Sequence, residues 1–166
     1  MKYSVVYSSQ TGNTAMLAET IRSSLPQEDV VYFGAPCEEA LFADRIYAGF
    51  WTDRGGCDEA MAEFLKKLAN RQVFLFGTAG FGQNSEYFDK VLAKAETNLP
   101  ESADLVGSYM CQGKMPMAVR ERYMKMQAQP NPSPNLDMMI RNFDSALSHP
   151  DGEDLEKLKE KLAETL

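Results

Sequence analysis

The stretch KYSVVYSSQTGNTA, Lys2 to Ala15, decides how the rest of the chain is read. Residues 2–7 are short and rich in β-formers, and Ser9-Gln10-Thr11-Gly12-Asn13-Thr14 follow. Over residues 13–24 and just beyond, Met16, Leu17, Ile21 and Leu25 recur on one side at helical spacing. A first strand therefore passes through a glycine turn straight into a helix. The amino end of a helix gathers unpaired backbone N–H groups and the positive end of the helix dipole. Gly12 lets the backbone turn tightly, and the hydroxyls of Ser9, Thr11 and Thr14 add side-chain donors. Together these form a cradle for one phosphate. The cradle contains no Lys or Arg, so neutral donors and the dipole must hold a dianion. The Gly-Lys-Ser/Thr of a nucleotide triphosphatase loop is missing. Ser, Thr and Asn are also common helix caps, and one Thr-Gly pair alone would be read that way. Four matching positions behind a first strand favour the phosphate.

Outward from this turn, β-rich and helical stretches alternate. Strands are expected over residues 29–33, 44–49 (running into Phe50-Trp51), 72–77 and 104–111. Helices are expected over residues 37–43, 57–69 and 84–96. Five strands alternating with helices predict an α/β fold, a doubly wound parallel sheet with helices on both faces. Right-handed crossovers leave few topologies. The order 2-1-3-4-5 fits, with a ligand at the carboxyl ends of the first and third strands. After the fifth strand the pattern changes. Helices are expected over 116–127 and 136–147, with Pro130, Pro132 and Pro134 between them. A last helix starts near Asp151, with Glu153 and Asp154 first and Lys157, Lys159 and Lys161 later, as the dipole favours. The chain thus reads as one domain of 166 residues with a helical insertion at about 112–148. Seven of the ten methionines fall in or beside that insertion, from Met110 to Met139. They suit either packing of an extra helical pair or an adaptable docking surface.

On these residues the chain resembles the flavodoxin family. Its pattern Ser/Thr-x-Thr-Gly-x-Thr after the first strand is matched in full by residues 9–14. The resemblance covers roughly residues 1–111 and the final helix. It implies a flavodoxin-like fold and FMN as cofactor, with the phosphate held by Ser9, Gln10, Thr11, Gly12, Asn13 and Thr14. Two further flavin loops of the family follow the third and fourth strands. Here they run from Gly49 to Gly56 and from Gly77 to Asn84, through Gln83. The resemblance marks Phe50, Trp51 and Thr52 in the first as flavin neighbours. In the second it marks Thr78, Ala79, Gly80, Phe81 and Gly82. Trp51 is the only tryptophan and stands where flavodoxins often stack an aromatic on the flavin ring. Glycines in the second loop permit close approach of backbone to a ring edge. Two positions depart from the pattern: Ser85 precedes Glu86-Tyr87-Phe88 where many flavodoxins have tyrosine, and Thr52 follows the tryptophan where glycine is frequent. Asp53, Asp58 and Glu59, set against Arg54, are expected to lower the flavin potential.

Charge and composition narrow the function. The net charge of −7, from 24 acids against 17 bases, makes nucleic acid a poor partner. No apolar run approaches the ~20 residues of a membrane span, and no signal-peptide pattern precedes the first strand. Cys37, Cys57 and Cys111 lie far apart and read as buried thiols of a reducing, cytoplasmic compartment, with Cys111 a candidate reactive thiol. His149, the only histidine, lies in a His-Pro-Asp turn, and neither a metal centre nor a catalytic residue is expected. The leading reading is an electron-transfer protein, with FMN shuttling electrons between a reductase and an acceptor enzyme as redox partners. The alternative is an oxidoreductase acting directly on a quinone or porphyrinogen, its extra helices forming a substrate pocket. A receiver-type signalling domain shares the architecture, but Tyr7-Ser8-Ser9 and Gly49-Phe50 stand where it needs acidic residues.

Overall fold

The computed structural model describes residues 1–82 and 84–166. The strands are β1 (Tyr3–Tyr7), β2 (Val30–Gly34), β3 (Arg45–Asp53), β4 (Gly56–Cys57), β5 (Gln72–Ala79) and β6 (Asp104–Gln112). The helices are α1 (Asn13–Ser23), α2 (Glu59–Leu65), α3 (Ser85–Glu96), α4 (Met117–Gln127), α5 (Leu136–Ala146) and α6 (Gly152–Ala163). Five strands pair in parallel in the order β2-β1-β3-β5-β6, and β4 adds an antiparallel rung to β3. Counted without β4, this is the 2-1-3-4-5 order expected from the sequence.

Successive side chains on a strand point to opposite faces, so each central strand feeds two cores. Val6, Ile46, Ala48, Val73 and Leu75 pack against Met61, Phe64 and Leu65 of α2 and Val91 and Ala95 of α3. Val5, Tyr47, Phe74 and Phe76 pack on the other face against Leu17, Ala18 and Ile21 of α1 and Leu158 and Leu162 of α6. Between β3 and β5 the register sets Gly49 opposite Phe76 and Phe50 opposite Gly77. Each ring covers the glycine across from it: a Cβ on Gly49 would lie 2.2 Å from the Phe76 ring, and one on Gly77 2.5 Å from the Phe50 ring.

Four elements depart clearly from the sequence expectation. β3 runs on to Asp53 and folds back as a hairpin through Arg54 and Gly55, both at positive φ, into β4. That pair of left-handed residues makes a tight reversal matching strand twist. β5 likewise continues to Ala79, because Trp51 pairs with Thr78 and prolongs the parallel ladder. Thr52, Thr78 and Ala79 are therefore strand residues and not loop residues. α2 is shorter than the expected helix, spanning Glu59–Leu65 behind an Asp58 cap, and a 3-10 turn, Glu38–Phe42, replaces the helix at 37–43.

The inserted pair α4 and α5 has a small core of its own, Tyr123, Leu136 and Phe143, with Met115, Val119, Met139 and Ile140 beside it. An Arg120–Asp144 pair at 2.8 Å clasps the two helices. Met117, Met124, Met126 and Met138 are exposed, so most of the inserted methionines do not pack this pair. Among the described residues, no helix is long and apolar enough to cross a membrane.

Candidate functional site

Between Tyr7 and Asn13 the chain reverses on Gly12, whose φ of +88° is one that only glycine adopts without strain. Ser9 Oγ accepts from the N–H of Gly12 at 3.1 Å and of Ala15 at 3.4 Å. The N–H groups of Thr11, Asn13 and Thr14 have no protein acceptor among the described residues. These are the unpaired donors that a helix start leaves behind, and the dipole adds to their pull on an anion.

The hydroxyls behave differently from the sequence expectation. Thr14 is fully buried; its Oγ1 donates to the Phe50 carbonyl at 3.1 Å and shares a hydrogen bond with Thr78 Oγ1 at 3.1 Å. It is a bolt joining the turn to β3 and β5. Thr11 Oγ1 donates to the Lys114 carbonyl at 3.3 Å, and Asn13 Nδ2 donates to the same oxygen at 2.8 Å. Asn13 Oδ1 is buried with no partner. The free donors at this turn are thus peptide amides more than side-chain hydroxyls.

Opposite the turn, the ends of β3 and β5 form a second wall. Trp51 and Thr52 are half-buried there, and Thr52 Oγ1 donates to the Thr78 carbonyl at 2.8 Å. Behind Trp51, the buried Asp58 accepts from Ser8 Oγ at 2.6 Å and from the Met61 N–H at 3.3 Å. Its carboxylate serves as the cap of α2, while Asp53 stays exposed beside Arg54.

Gln10, Thr11, Asn13, Trp51, Thr52, Thr78, Ala79 and Gly80 line one cleft of about 70 Å³. Eight of the residues expected from sequence thus come together at the carboxyl edge of the sheet, where parallel sheets bind ligands. Ser9 and Gly12 are exposed on the turn outside the cleft, and Thr14 lies beneath it. Phe50 is a correction: its side chain is fully buried in the core over Gly77, because the strand alternation turns it inward. Phe81 is 43% exposed beyond the cleft, and Gly82 donates its N–H to Asn142 Oδ1 at 3.2 Å. Gln83 lies outside the described residues.

The remaining lining, Gly113 to Pro116, was not anticipated residue by residue. After β6 the chain crosses between the two walls. Gly113 N–H donates to the Ala79 carbonyl at 2.9 Å, and Lys114 N–H to the His149 carbonyl at 2.9 Å. Met115 presses on Gly80, where a Cβ would stand 2.5 Å from its Cγ. The only signal in the sequence was that the insertion leaves from the carboxyl end of a strand. About 70 Å³ is small beside the roughly 300–1,000 Å³ of an enclosing small-molecule pocket. A larger ligand lies over the mouth of this slot or requires residues 113–116 to move outward. A hollow of about 830 Å³ between Phe42, Arg71 and Asp104 is bigger but lies at the amino ends of the strands, the wrong edge for a ligand of this fold.

Cys111 is buried, and burial, with Asp154 and Asp151 nearby, pushes its thiol far above the ordinary range. It stays protonated, so it is no reactive thiol. Cys37 and Cys57 are only half-buried, against the expectation of buried thiols. His149 Nδ1 lies 2.6 Å from Asp154 and 3.7 Å from Asp151. Both aspartates are engaged in the reciprocal cap of α6, which accounts for the cluster.

The model of the Flavodoxin domain matches residues 4–163. The flavodoxin-like domain-containing protein BilS of Clostridium symbiosum (strain WAL-14163) is 42% identical over 173 residues, covering 93% of this chain and 90% of that protein. Among solved structures, oxidised Flavodoxin 2 from Bacillus cereus superimposes with a TM-score of 0.60 at 19% identity, covering 99% of this chain and 97% of that one. A flavoprotein in complex with FMN from Lactobacillus acidophilus NCFM gives a TM-score of 0.52 at 14% identity, over 66% of this chain and 92% of its own.

Proposed function

This chain belongs to the flavodoxin family, and on that premise we propose that it holds one FMN at the carboxyl edge of its sheet and passes electrons between redox proteins. The observation that carries the reading is the set of unpaired N–H groups of Thr11, Asn13 and Thr14 at the start of α1. The residues present fit a terminal phosphate: three amides without a protein acceptor stand at the positive end of the helix dipole, and such a helix start can hold an anion. Ser9 and Gly12 fix the turn, and Gln10 lines its open side. Trp51 and Thr52 at the end of β3 and Thr78, Ala79 and Gly80 at and beyond the end of β5 would form the wall on which the ring lies, with Phe81 and Gly82 just outside. FMN supplies the ability to accept and release one or two electrons.

What this chain's residues contribute is position and dryness. Trp51 offers a flat apolar face against the ring. Met115 and Pro116 close the far side of the cleft. Among the described residues, Lys114 is the only titratable side chain lining it. Among those residues the cleft thus offers one amine and no carboxylate, imidazole, thiol or phenol to pair with it as acid and base for direct work on an organic substrate, which favours a carrier over an oxidoreductase. The unpaired thiols suit a reducing compartment such as the cytoplasm.

Titration of the purified protein with FMN, followed by Trp51 fluorescence and flavin absorbance, tests the site. One equivalent should bind and quench the tryptophan. Gly12→Val, which strains the turn, should weaken FMN by more than about tenfold while leaving riboflavin, which lacks the phosphate, nearly unaffected. Equal affinity of the wild-type protein for both flavins would remove the phosphate cradle from this reading. Steady-state turnover of a quinone with NAD(P)H by the protein alone would replace the carrier reading with the oxidoreductase one.

A further inference from the structure

We propose that Asn142, on the inserted helix α5, is a positioning residue for the flavin ring that acts through the backbone of the Gly80–Gly82 loop. The inference rests on the FMN reading above and assigns the insertion a part in that site.

The loop has little with which to hold itself. Two of its three residues are glycine, Gly82 is at positive φ, and Phe81 is 43% exposed. Its order comes from elsewhere. Asn142 Nδ2 donates to the Gly80 carbonyl at 3.0 Å, and Asn142 Oδ1 accepts from the Gly82 N–H at 3.2 Å. One amide side chain thus grips both sides of Phe81, in the way a neighbouring strand would. The assignment of the amide is fixed by its partners, because a carbonyl needs the NH₂ and an N–H needs the oxygen.

A second side chain completes the network. Gln112, at the end of β6 and 3% exposed, sends its Nε2 to the Gly80 carbonyl at 3.1 Å and to Asn142 Oδ1 at 3.2 Å. Asn142 itself is held by its helix: the adjacent Phe143 is fully buried in the insertion core, and Asp144 is paired with Arg120. Without the Asn142 side chain, Gly82 N–H loses its acceptor and Gly80 keeps one donor of two. Gly80 lines the cleft and Met115 rests on it, so a shift of this peptide moves the wall against which the ring lies. The insertion is therefore more than a decoration, since it fastens one wall of the site.

Two variants test this, Asn142→Ala and Asn142→Asp. The aspartate keeps an acceptor for Gly82 and Gln112 but sets a negative oxygen against the Gly80 carbonyl. Each variant is titrated with FMN and with riboflavin, the visible spectrum of the bound flavin is recorded, and amide exchange at Gly82 is followed in the flavin-free protein. The expected result for Asn142→Ala is a loss of about tenfold for both flavins by the same factor, an altered flavin spectrum and faster Gly82 exchange. Asn142→Asp should weaken both flavins by a smaller equal factor and leave Gly82 protected. The proposal is overturned if Gly82 exchange does not change in Asn142→Ala. It is equally overturned if exchange quickens while affinities and spectrum stay as in the wild type, or if only FMN is weakened. Wild-type protein that takes up neither flavin would overturn the cofactor reading and this one together, a result distinct from any confined to the variants.

Discussion

At the scale of single residues, the motif marks the place and the fold assigns the tasks. Thr14 belongs to the phosphate pattern, yet its hydroxyl is spent inside the protein on the Phe50 carbonyl and Thr78. Thr14→Val keeps the shape and removes the donor. It removes a hydrogen bond to the buried Phe50 carbonyl and takes the Thr14 partner from the buried Thr78 hydroxyl, which costs about 1–3 kcal/mol. Urea unfolding of the flavin-free protein should show that loss, and an unchanged midpoint would mean the hydroxyl is not a structural bolt. That Thr11 and Asn13 stand at the turn that borders the cleft was legible because the strand–glycine–helix pattern is local. Phe50 was not, because whether a residue at a strand end faces the core or the cleft depends on a pleat that only cross-strand pairing sets.

At the scale of elements, periodicity gave the strands and helices their existence but misjudged where several end. β3 and β5 outrun their expected limits because each prolongs the other, through Trp51 opposite Thr78. Neither stretch announces this alone. Helix starts are easier, since the capping groups are close in sequence. Asp151 accepts from the Asp154 N–H at 2.9 Å and Asp154 returns the bond to the Asp151 N–H at 2.9 Å. Asp151→Ala should therefore cost about 1 kcal/mol of stability, read as a lower thermal midpoint. The effect reaches the site's edge, because the Lys114 N–H is held by the carbonyl of His149, just ahead of this cap.

For the whole molecule, charge sets the response to acid. Lys2 holds the Asp29 carboxyl below its ordinary value of 3.8, Arg120 does the same for Asp144, and the N–H of Asp154 does so for Asp151. A carboxyl whose folded-state value is lowered contributes stability that is fully present above its unfolded value and is lost as pH falls through the folded one. The thermal midpoint should thus fall as pH drops below about 4, where the 17 bases are also left unopposed. Asp144→Asn should flatten part of that fall. These groups are partly or fully exposed and contribute modestly, so the measurement is the slope of midpoint against pH, and a midpoint that rises below pH 4 would contradict it.

The sequence by itself determined the alternation of strands and helices, the order of the parallel sheet and the turn that opens the first helix. These depend on spacing within short windows and on the handedness of crossovers. Tertiary structure alone decided that Phe50 turns inward, that residues 113–116 close the cleft, and that Asn142 reaches back some sixty positions to hold Gly80 and Gly82. Those facts rest on contacts between segments far apart in the chain, and a local pattern carries no record of which distant amide will meet which carbonyl.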